Sequence, residues 1–343
     1  MITPQQALDM FRSHDLIGIG MEADRLRCKY HPHNIATYII DRNVNYTNVC
    51  TEYCSFCAFY RPKGHAEAYV HAKEVIYQKI QETIDLGGTG VLMQGGLHPD
   101  LPIEWYEDLF RSIKANFKIH LHVLSAPEIL NIAQISNLSI ADTVARLRDA
   151  GLDSIPGAGA EILHDEVRQR IARLKCNTEE WLSVHRAAHK LGVRTTATMM
   201  WGCGETVEHR IHHLQILRDL QEETGGFTAF IPWSFQRDNT SLGRFVKEEA
   251  TSVEFLKTLA ICRLYLDNIV NIQTSWVTQG LKVCQVGLRF GGNDVGSIMI
   301  EENVVSQAGA QFSATEEDLR RIIRDAGFIP KQRDTLYRTY FLN

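Results

Sequence analysis

The sequence of 343 residues predicts an α/β fold, a complete or partial (β/α) barrel of the TIM type with an N-terminal helix and a C-terminal extension. Two observations carry this prediction. Short β-branched runs alternate with longer amphipathic segments, which favours parallel strands joined by right-handed helical crossovers. Six or more such units follow one another, and that number favours a barrel over an open sheet. We expect a helical lead-in over 1–35, a core barrel over 36–275 and an extension over 276–343 that closes the barrel.

Each predicted element has its own local signal. The first strand, Thr37 to Ile40, is a β-branched and aromatic run. Glu74 to Leu86 has apolar residues at helical spacing, and Gly87 and Gly88 end that helix. The same signals predict further strands over 90–94, 119–123, 154–156, 194–200 and 227–231, and further helices over 103–116, 141–150, 178–191, 208–223 and 251–266.

Composition and charge exclude several classes of protein. The chain carries 36 Lys and Arg against 41 Asp and Glu, a formal net charge of −5, which disfavours a basic nucleic-acid-binding surface. No apolar run reaches the roughly 18–20 residues that cross a bilayer, and the N-terminus lacks the features of a secretory signal. We therefore expect a cytoplasmic protein with no nucleic-acid or membrane partner. In such a reducing compartment, clustered cysteines indicate a metal before a disulfide.

Three of the eight cysteines lie close together after the first predicted strand. Cys50, Cys54 and Cys57 have the spacing C-x3-C-x2-C, and the other cysteines are scattered singly. A loop after a barrel strand lies at the catalytic face, and thiolates are ligands of iron–sulfur clusters and of zinc. A structural zinc site takes four ligands, so three thiols leave the open metal position that a catalytic site keeps. A structural zinc or buried free thiols are the alternatives.

This cysteine loop resembles the signature of the radical S-adenosylmethionine (radical SAM) enzymes, in which an aromatic residue such as Phe56 precedes the third cysteine. The resemblance implies a [4Fe-4S] cluster held by Cys50, Cys54 and Cys57, with SAM bound to the fourth iron. It also implies that one electron from a reductant such as flavodoxin or ferredoxin splits SAM into methionine and a 5′-deoxyadenosyl radical. Phe56 then lies where the local backbone approaches the adenine.

The same resemblance implies a SAM pocket at the ends of later strands. Glycines without a Cβ would approach the SAM amino and carboxylate groups, and a carboxylate would pair with the ammonium. Plainer alternatives are a strand-to-loop turn for the glycines and helix-terminal acids for Glu161 and Glu205. The residues implied are Gln94, Gly95, Gly96, Glu161, Thr198 and Glu205.

Later motifs resemble the cyclic dehypoxanthine futalosine synthases of menaquinone biosynthesis. One departure is Ala158, where these cyclases carry glycine, and it is harmless only if this residue keeps a negative φ. The resemblance implies that the deoxyadenosyl radical takes a hydrogen from C4′ of dehypoxanthine futalosine. The carbon radical then adds to the benzoate ring, and one electron and one proton are lost. The motifs lie at 195–200, 230–236, 272–276, 293–299 and 301–305.

Such a reaction needs polar groups for the substrate carboxylate, a dry pocket and a proton acceptor. Asp294 and His98 are the candidates for the acceptor, at loop positions. A sister radical SAM enzyme, such as an aminofutalosine synthase or a deazaflavin synthase subunit, is one alternative. An iron–sulfur electron carrier is another, although a carrier usually has every iron ligated by protein. The candidate substrate contacts are Arg61, Trp233, Trp276, Arg289 and Asn293.

Overall fold

In a computed structural model of the chain, which describes residues 2–338 and 340–341, helices and strands alternate as the sequence predicts. The helices are α1 Pro4–Arg12, α2 Leu16–Tyr30, α3 Lys73–Asp85, α4 Ile103–Asn116, α5 Ala126–Ile135, α6 Ile140–Ala150, α7 Asp165–Ile171, α8 Thr178–Lys190, α9 Val207–Thr224, α10 Ser252–Tyr265, α11 Gly280–Gly287 and α12 Glu316–Asp325. The strands are β1 Ile35–Ile39, β2 Asp41–Val44, β3 Gly90–Met93, β4 His120–Val123, β5 Ser154–Ile155, β6 Arg194–Trp201, β7 Phe227–Ser234, β8 Asn271–Ile272, β9 Asp294–Ser297, β10 Ile329–Arg333 and β11 Tyr340–Phe341.

Parallel strands run around a barrel. β2 to β8 form a seven-stranded parallel sheet in chain order. β1 leads into β2 across Ile40, and β1 pairs in parallel with β9 and with β10. A bridge between Gln273 and Asp294 joins the end of β8 to β9, so the pairing continues around the ring. The predicted (β/α) barrel is confirmed, and its strands close on themselves.

Capping side chains account for the ends of several helices. The Thr206 side chain accepts a hydrogen bond from the His209 N–H at the start of α9, and Ser139 accepts one from the Asp142 N–H at the start of α6. Gly225 ends α9 with φ +60°, a conformation that glycine adopts without strain. Because these caps can be read from sequence, α6 and α9 lie within one residue of their predicted bounds.

Several short elements have no counterpart in the sequence prediction. β8 has two residues and β9 has four, with Gly296 at φ +80°, so neither shows a β-strand pattern of its own. α5, α7, α11, α12 and β10 were also not predicted separately. β9 lies beyond residue 275, and the division of the chain at 35 and 275 stays a prediction. Among the described residues, no helix combines the length and apolar character needed to cross a membrane.

The last residue of β10 and the residues that follow it, 333–338, cover the lower end of the barrel, where the strands begin. Arg333, Thr335 and Tyr337 point into the barrel, whereas Asp334 and Arg338 line a groove on the outside. The segment 333–338 is therefore a wall between the barrel interior and solvent.

Candidate functional site

Two cavities lie inside the barrel and share part of their walls. The upper cavity, of about 230 Å³, lies where the strands end, against the cysteine loop. The lower cavity, of about 330 Å³, extends down to the segment after β10. Ligands in the two cavities would therefore be neighbours. The residues that line both are Gln94, Ala158, Thr198, Trp233 and Val304.

Hydrogen bonds hold the cysteine loop in one conformation. The Cys50 N–H donates to the Arg61 carbonyl (3.1 Å), and the Arg61 N–H donates to the Asn48 carbonyl (2.7 Å). Ser55 donates to the carbonyl of Ile171, at the end of α7, through both its N–H (2.8 Å) and its hydroxyl (2.7 Å). The loop is thus tied to itself and to a neighbouring helix, and the fold positions its thiols.

Cys50, Cys54 and Cys57 all line the upper cavity. Burial raises the pKa of the Cys50 and Cys54 thiols. Ligands of a single tetrahedral zinc lie about 3.8 Å apart, so a wider spread of sulfurs fits a multi-iron cluster better than one zinc ion. Among the described residues, three metal-ligating side chains have all their ligand atoms within 4.8 Å of one another only at His164, Glu166 and His209. The sulfurs of Cys50, Cys54 and Cys57 do not form such a group, so at least one pair of them lies farther apart than 4.8 Å.

Gly95 and Gly96 follow β3 and pack directly against the cysteine loop. A Cβ on Gly96 would lie 2.2 Å from the Val49 carbonyl oxygen and 2.8 Å from Cys50 Cβ. A Cβ on Gly95 would lie 2.7 Å from the Tyr46 ring. Only glycine lets the strand end approach the loop this closely. The turn therefore helps to set the position of the first cysteine as well as the cavity wall.

A buried carboxylate, Glu128, holds the same turn from below. Its Oε1 accepts hydrogen bonds from the Gly95 N–H and the Tyr46 hydroxyl, both at 2.8 Å. Its Oε2 accepts from the Ser125 N–H (2.7 Å) and hydroxyl (2.6 Å). Burial raises the pKa of Glu128, and these donors oppose the rise. Sequence reasoning missed Glu128, although the Ser-x-x-Glu capping box of α5 could have indicated it.

A buried cation that sequence reasoning also missed, Lys175, lines the upper cavity. Its Nζ lies 3.1 Å from Glu161 Oε1 and 5.4 Å from the centre of the Phe56 ring. Burial, the largest single influence, lowers the pKa of Lys175, but the Glu161 carboxylate and the nearby Cys54 together outweigh it and raise the pKa of the amine. An Arg168 nitrogen lies 3.8 Å from the other Glu161 oxygen. The upper cavity thus offers a positive and a negative group to a zwitterionic ligand.

Most residues predicted to contact SAM line the upper cavity. Thr198 lies at the boundary of the two cavities, where its hydroxyl donates to the Gly157 carbonyl (2.8 Å). Ala158 keeps a negative φ while the next residue, Gly159, has φ +84°, so the methyl group of Ala158 adds no backbone strain. The predicted residues that line this cavity are Phe56, Gln94, Gly95, Gly96, Glu161 and Thr198.

Glu205 lies outside the described linings of both cavities. Its Oε1 accepts from the Gly202 N–H (2.8 Å) and from Arg210 Nε (2.7 Å), and its Oε2 accepts from the Cys203 N–H (2.8 Å). Burial alone would raise the pKa of Glu205, but the Arg210 guanidinium and the N–H donors outweigh it and lower the pKa. The carboxylate closes the turn after β6, and its contact with SAM stays a prediction.

Asp294 and Asn293 lie in the barrel wall and line neither cavity. Asp294 forms a two-pronged ion pair with Arg333 at 2.5 and 3.0 Å and accepts from the Thr37 hydroxyl at 2.5 Å. Asn293 Oδ1 accepts from Arg263 (2.7 Å) and from the backbone of β8 (2.8 Å). Both side chains are occupied in holding β9 in the barrel.

Arg61, His98 and Arg289 are likewise absent from the described linings of the two cavities. Arg61 donates to three carbonyls of the cysteine loop, at 3.0 to 3.3 Å. His98 Nδ1 accepts from the Asp100 N–H (3.1 Å). Arg289 donates to the Ala326 carbonyl on the outside of the barrel (2.7 Å). Each of these three side chains therefore makes a hydrogen bond to the protein backbone, away from the described linings of the two cavities.

Trp233 and Trp276 do line the lower cavity. Trp276 is buried, and its Nε1 donates to the Ser297 carbonyl (2.9 Å), which fixes the ring. Asp41 and His122 also line this cavity, as do Glu302, Arg333 and Tyr337. Burial raises the pKa of Asp41 to about 6 and lowers the pKa of His122 to about 3. Arg333 is held by its ion pair with Asp294, so the lower cavity combines aromatic walls with a few polar groups.

Family models match both halves of the chain. The model described as the radical SAM superfamily matches residues 44–217, and the model described as the CofH/MqnC C-terminal region matches residues 224–342. Together they span the cysteine loop, the upper cavity and the strands that close the barrel.

Individual proteins are similar over nearly the whole chain. The cyclic dehypoxanthine futalosine synthase of Halalkalibacterium halodurans is 49% identical over 337 residues, which cover 98% of this chain and 90% of that protein. The protein of the same name from Streptomyces coelicolor is 46% identical over 341 residues, covering 98% and 85%. Among solved structures, a methylornithine synthase matches with TM-score 0.74 and 17% identity over 96% of this chain and 94% of that chain. At that identity the match shows the fold alone.

Proposed function

This chain belongs to the radical SAM superfamily, and from that premise we propose that it converts dehypoxanthine futalosine to cyclic dehypoxanthine futalosine in menaquinone biosynthesis. The observation that carries the proposal is that a cysteine-lined cavity shares part of its walls with a second cavity inside one barrel. The two spaces suit a radical source and the substrate that the radical attacks. The relatives of that name, at 46% and 49% identity, support this choice of substrate.

The upper cavity fits a [4Fe-4S] cluster and SAM. Cys50, Cys54 and Cys57 would hold the cluster, and their spread of sulfurs suits it better than a single ion. Lys175 would bind the SAM carboxylate, and Glu161 would bind the ammonium. When bound, the cluster and SAM supply a carbon radical that takes a hydrogen atom from the substrate.

The lower cavity would hold the substrate. Trp233 and Trp276 form apolar walls against which the benzoate ring packs, and Trp233 also borders the upper cavity. The segment 333–338 covers the lower end and keeps bulk water out. Exclusion of water protects a carbon radical from side reactions until the ring closes.

A groove beside the cysteine loop suits the electron donor, for which we propose a small protein such as flavodoxin or ferredoxin. This groove, of about 590 Å³, is lined by Cys57, Tyr60, Arg237 and Arg244 among others. Cys57 also lines the upper cavity, so one residue separates the cluster position from the surface. The two arginines offer positive charge to an acidic partner.

The test is a strictly anaerobic assay. The reconstituted and reduced enzyme is given SAM and dehypoxanthine futalosine, and the products are followed by mass spectrometry. We expect a product two hydrogens lighter than the substrate, formed together with free 5′-deoxyadenosine, because one hydrogen atom and one proton leave the substrate.

Other outcomes would contradict the proposal at different levels. A product that retains the adenosyl group would indicate the sister aminofutalosine-type reaction. Free 5′-deoxyadenosine beside unchanged substrate would mean that the substrate is wrong. If a verified four-iron cluster does not cleave SAM at all, the enzymatic proposal fails and an electron carrier becomes the better interpretation.

A further inference from the structure

A hydrogen-bonded chain of three side chains lies in the lower barrel wall. His122 Nδ1 and His120 Nε2 each lie 2.7 Å from the Ser154 hydroxyl oxygen. The two histidines are two residues apart on β4 and share a face, and Ser154 lies opposite His122 on β5. Because a serine hydroxyl carries one proton, it accepts a hydrogen bond from one ring and donates to the other.

The two ends of this chain meet different spaces. His122 lines the lower cavity, and its Nε2, which has no hydrogen-bond partner among the described residues, is the nitrogen left to face that cavity. His120 lines the outer groove, an open depression of about 670 Å³ that Lys114 and Asp153 also line. His120 Nδ1 lies 4.0 Å from Asp153 Oδ2. This hydrogen-bonded chain of three side chains therefore connects the lower cavity with the solvent-exposed outer groove.

A second histidine–hydroxyl–histidine group in the same molecule does not connect a cavity with the outer groove. The Thr195 hydroxyl, on β6, lies 3.0 Å from His185 Nδ1 and 2.8 Å from His189 Nε2, both on α8. His189 Nδ1 continues to the Thr224 hydroxyl (2.6 Å), and His185 Nε2 is buried without a partner. None of these four residues lines a barrel cavity or the outer groove. This outer group packs β6 against α8 and does not connect a barrel cavity with the outer groove.

We propose that His122, Ser154 and His120 form a proton relay from the lower cavity to the outer groove. The proposal rests on the proposed function, because the cyclisation releases a proton into the lower cavity. The segment 333–338 blocks the direct way out of the lower end. A route made of hydrogen bonds lets the proton leave without admitting water to the radical.

The steps of the relay balance. The substrate gives one hydrogen atom to the deoxyadenosyl radical, and the cyclised radical then loses one electron to an iron–sulfur acceptor and one proton to His122 Nε2. The Nδ1 proton of His122 passes to Ser154 Oγ, the hydroxyl proton passes to His120 Nε2, and the Nδ1 proton of His120 leaves to water. Each of the three side chains gains one proton and loses one, so one proton is moved, and each histidine changes from its Nδ1–H to its Nε2–H tautomer.

The surroundings of the two histidines differ. Burial first, then the neighbouring His120 and Arg333, lower the pKa of His122 to about 3, so a proton is not stored there. Burial also lowers the pKa of His120, where two carboxylates oppose the shift and two cations add to it. The charged groups that face His120 are Lys114, Asp153, Asp334 and Arg338.

The experiment removes the hydroxyl from the middle of the relay in the reconstituted enzyme. For Ser154→Ala we expect kcat for the cyclised product to fall by about tenfold or more, with KM within about twofold. A solvent deuterium isotope effect on kcat of about 2 or more should accompany the fall, because proton transfer becomes rate-limiting. Ser154→Thr, which keeps the hydroxyl, should restore kcat and remove the isotope effect. A merely structural role for Ser154 would not produce that isotope effect.

Two further variants make the result decisive. Thr195→Val breaks the outer group, which has the same chemistry, and should lower the thermal midpoint without changing kcat or the isotope effect. His120→Gln breaks the relay at its solvent end and should reproduce the Ser154→Ala effect even if that variant folds poorly. Unchanged kcat with no isotope effect in both relay variants, beside a wild type that cyclises its substrate, would overturn the relay. A wild type that does not cyclise dehypoxanthine futalosine would overturn the proposed function itself.

Discussion

The two cavities of the barrel share five wall residues, yet their walls have different chemistry. The upper cavity presents thiols, a buried Lys175–Glu161 ion pair and a glycine turn that is tied down by Glu128. The lower cavity presents tryptophan rings, and burial disfavours the charged forms of two of its titratable groups, Asp41 and His122. The upper cavity is therefore built around fixed charges, whereas the lower cavity is built mainly around aromatic walls.

This difference indicates a division of labour. A zwitterionic cofactor needs complementary charges that do not reorganise, and buried ion pairs provide them. A substrate radical needs a pocket that holds it in place and excludes water. Placing the two kinds of wall in adjoining cavities of one barrel brings the radical source to the substrate without mixing their environments.

The largest expected effect is in the upper cavity, where a variant tests whether the thiols hold a cluster. Cys54→Ala removes a buried candidate ligand, so iron and sulfide content should fall to background and SAM cleavage should fall by about a thousandfold or more. Iron analysis and 5′-deoxyadenosine formation measure these losses. Cys262→Ala removes a buried thiol on α10, away from both cavities, and should keep cluster and activity. A full cluster in Cys54→Ala would refute the assignment of this cysteine.

A smaller effect should follow when the charge of the upper cavity is removed but the thiols stay. Lys175→Met leaves Glu161 without its 3.1 Å partner and takes away the proposed ligand of the SAM carboxylate. We expect SAM affinity to fall by about 10- to 100-fold, at unchanged iron content, because charge-assisted hydrogen bonds are worth about 1.5–3 kcal/mol. Calorimetry on the anaerobic holoenzyme measures the affinity.

The matched control for Lys175 is Lys79. Lys79 Nζ also forms a partly buried ion pair, with Glu301 at 2.6 Å, but it lines neither cavity. Lys79→Met should therefore leave SAM affinity unchanged. If both variants bind SAM equally well, the upper cavity does not depend on this charge and the comparison fails.

The smallest effect concerns the lower cavity and is a change of stability. The Asp41 carboxyl has an ordinary pKa of 3.8, which burial raises to about 6 in the folded protein. Folding therefore costs free energy once the pH rises above 3.8, and the cost grows until about pH 6 and then levels off. Asp41→Asn is neutral throughout, so at pH 7 it should raise the free energy of unfolding by up to about 3 kcal/mol.

Urea unfolding at two pH values tests this effect. The gain of Asp41→Asn over wild type should shrink by about 1 kcal/mol between pH 7 and pH 5, because wild-type Asp41 is increasingly protonated. Asp108→Asn, at a largely exposed carboxyl on α4, should show no such pH-dependent gain. A destabilised Asp41→Asn at pH 7 would mean that the charged carboxylate is needed in the lower cavity.

Local patterns account for the parts of the site that could be predicted. The cysteine loop, the glycine turn after β3 and Thr198 lie at strand ends, and parallel barrel strands bring such ends to one face. Trp233 and Trp276 line the lower cavity, and their contact with the substrate stays a prediction.

Other residues could not be placed from sequence. Lys175 and Tyr46 reach the site through packing between segments that are far apart in the chain, and no spacing marks them. Asp294 and Asn293 lie in a motif that resembles the cyclases, but a motif does not say whether a side chain points into a cavity or into the wall. Here β9 turns both into the wall, where Arg333 and Arg263 occupy them.

The sequence by itself determined the strand–helix alternation, the spacing of three cysteines and the family, because each depends on residues that are near neighbours in the chain. Only the tertiary structure decided which polar groups meet. It paired Lys175 with Glu161 in one cavity and joined His122, Ser154 and His120 through the wall of the other. The physical reason is that burial and hydrogen-bond partners are set by the packing of distant segments, and these decide the charge and the reach of each side chain.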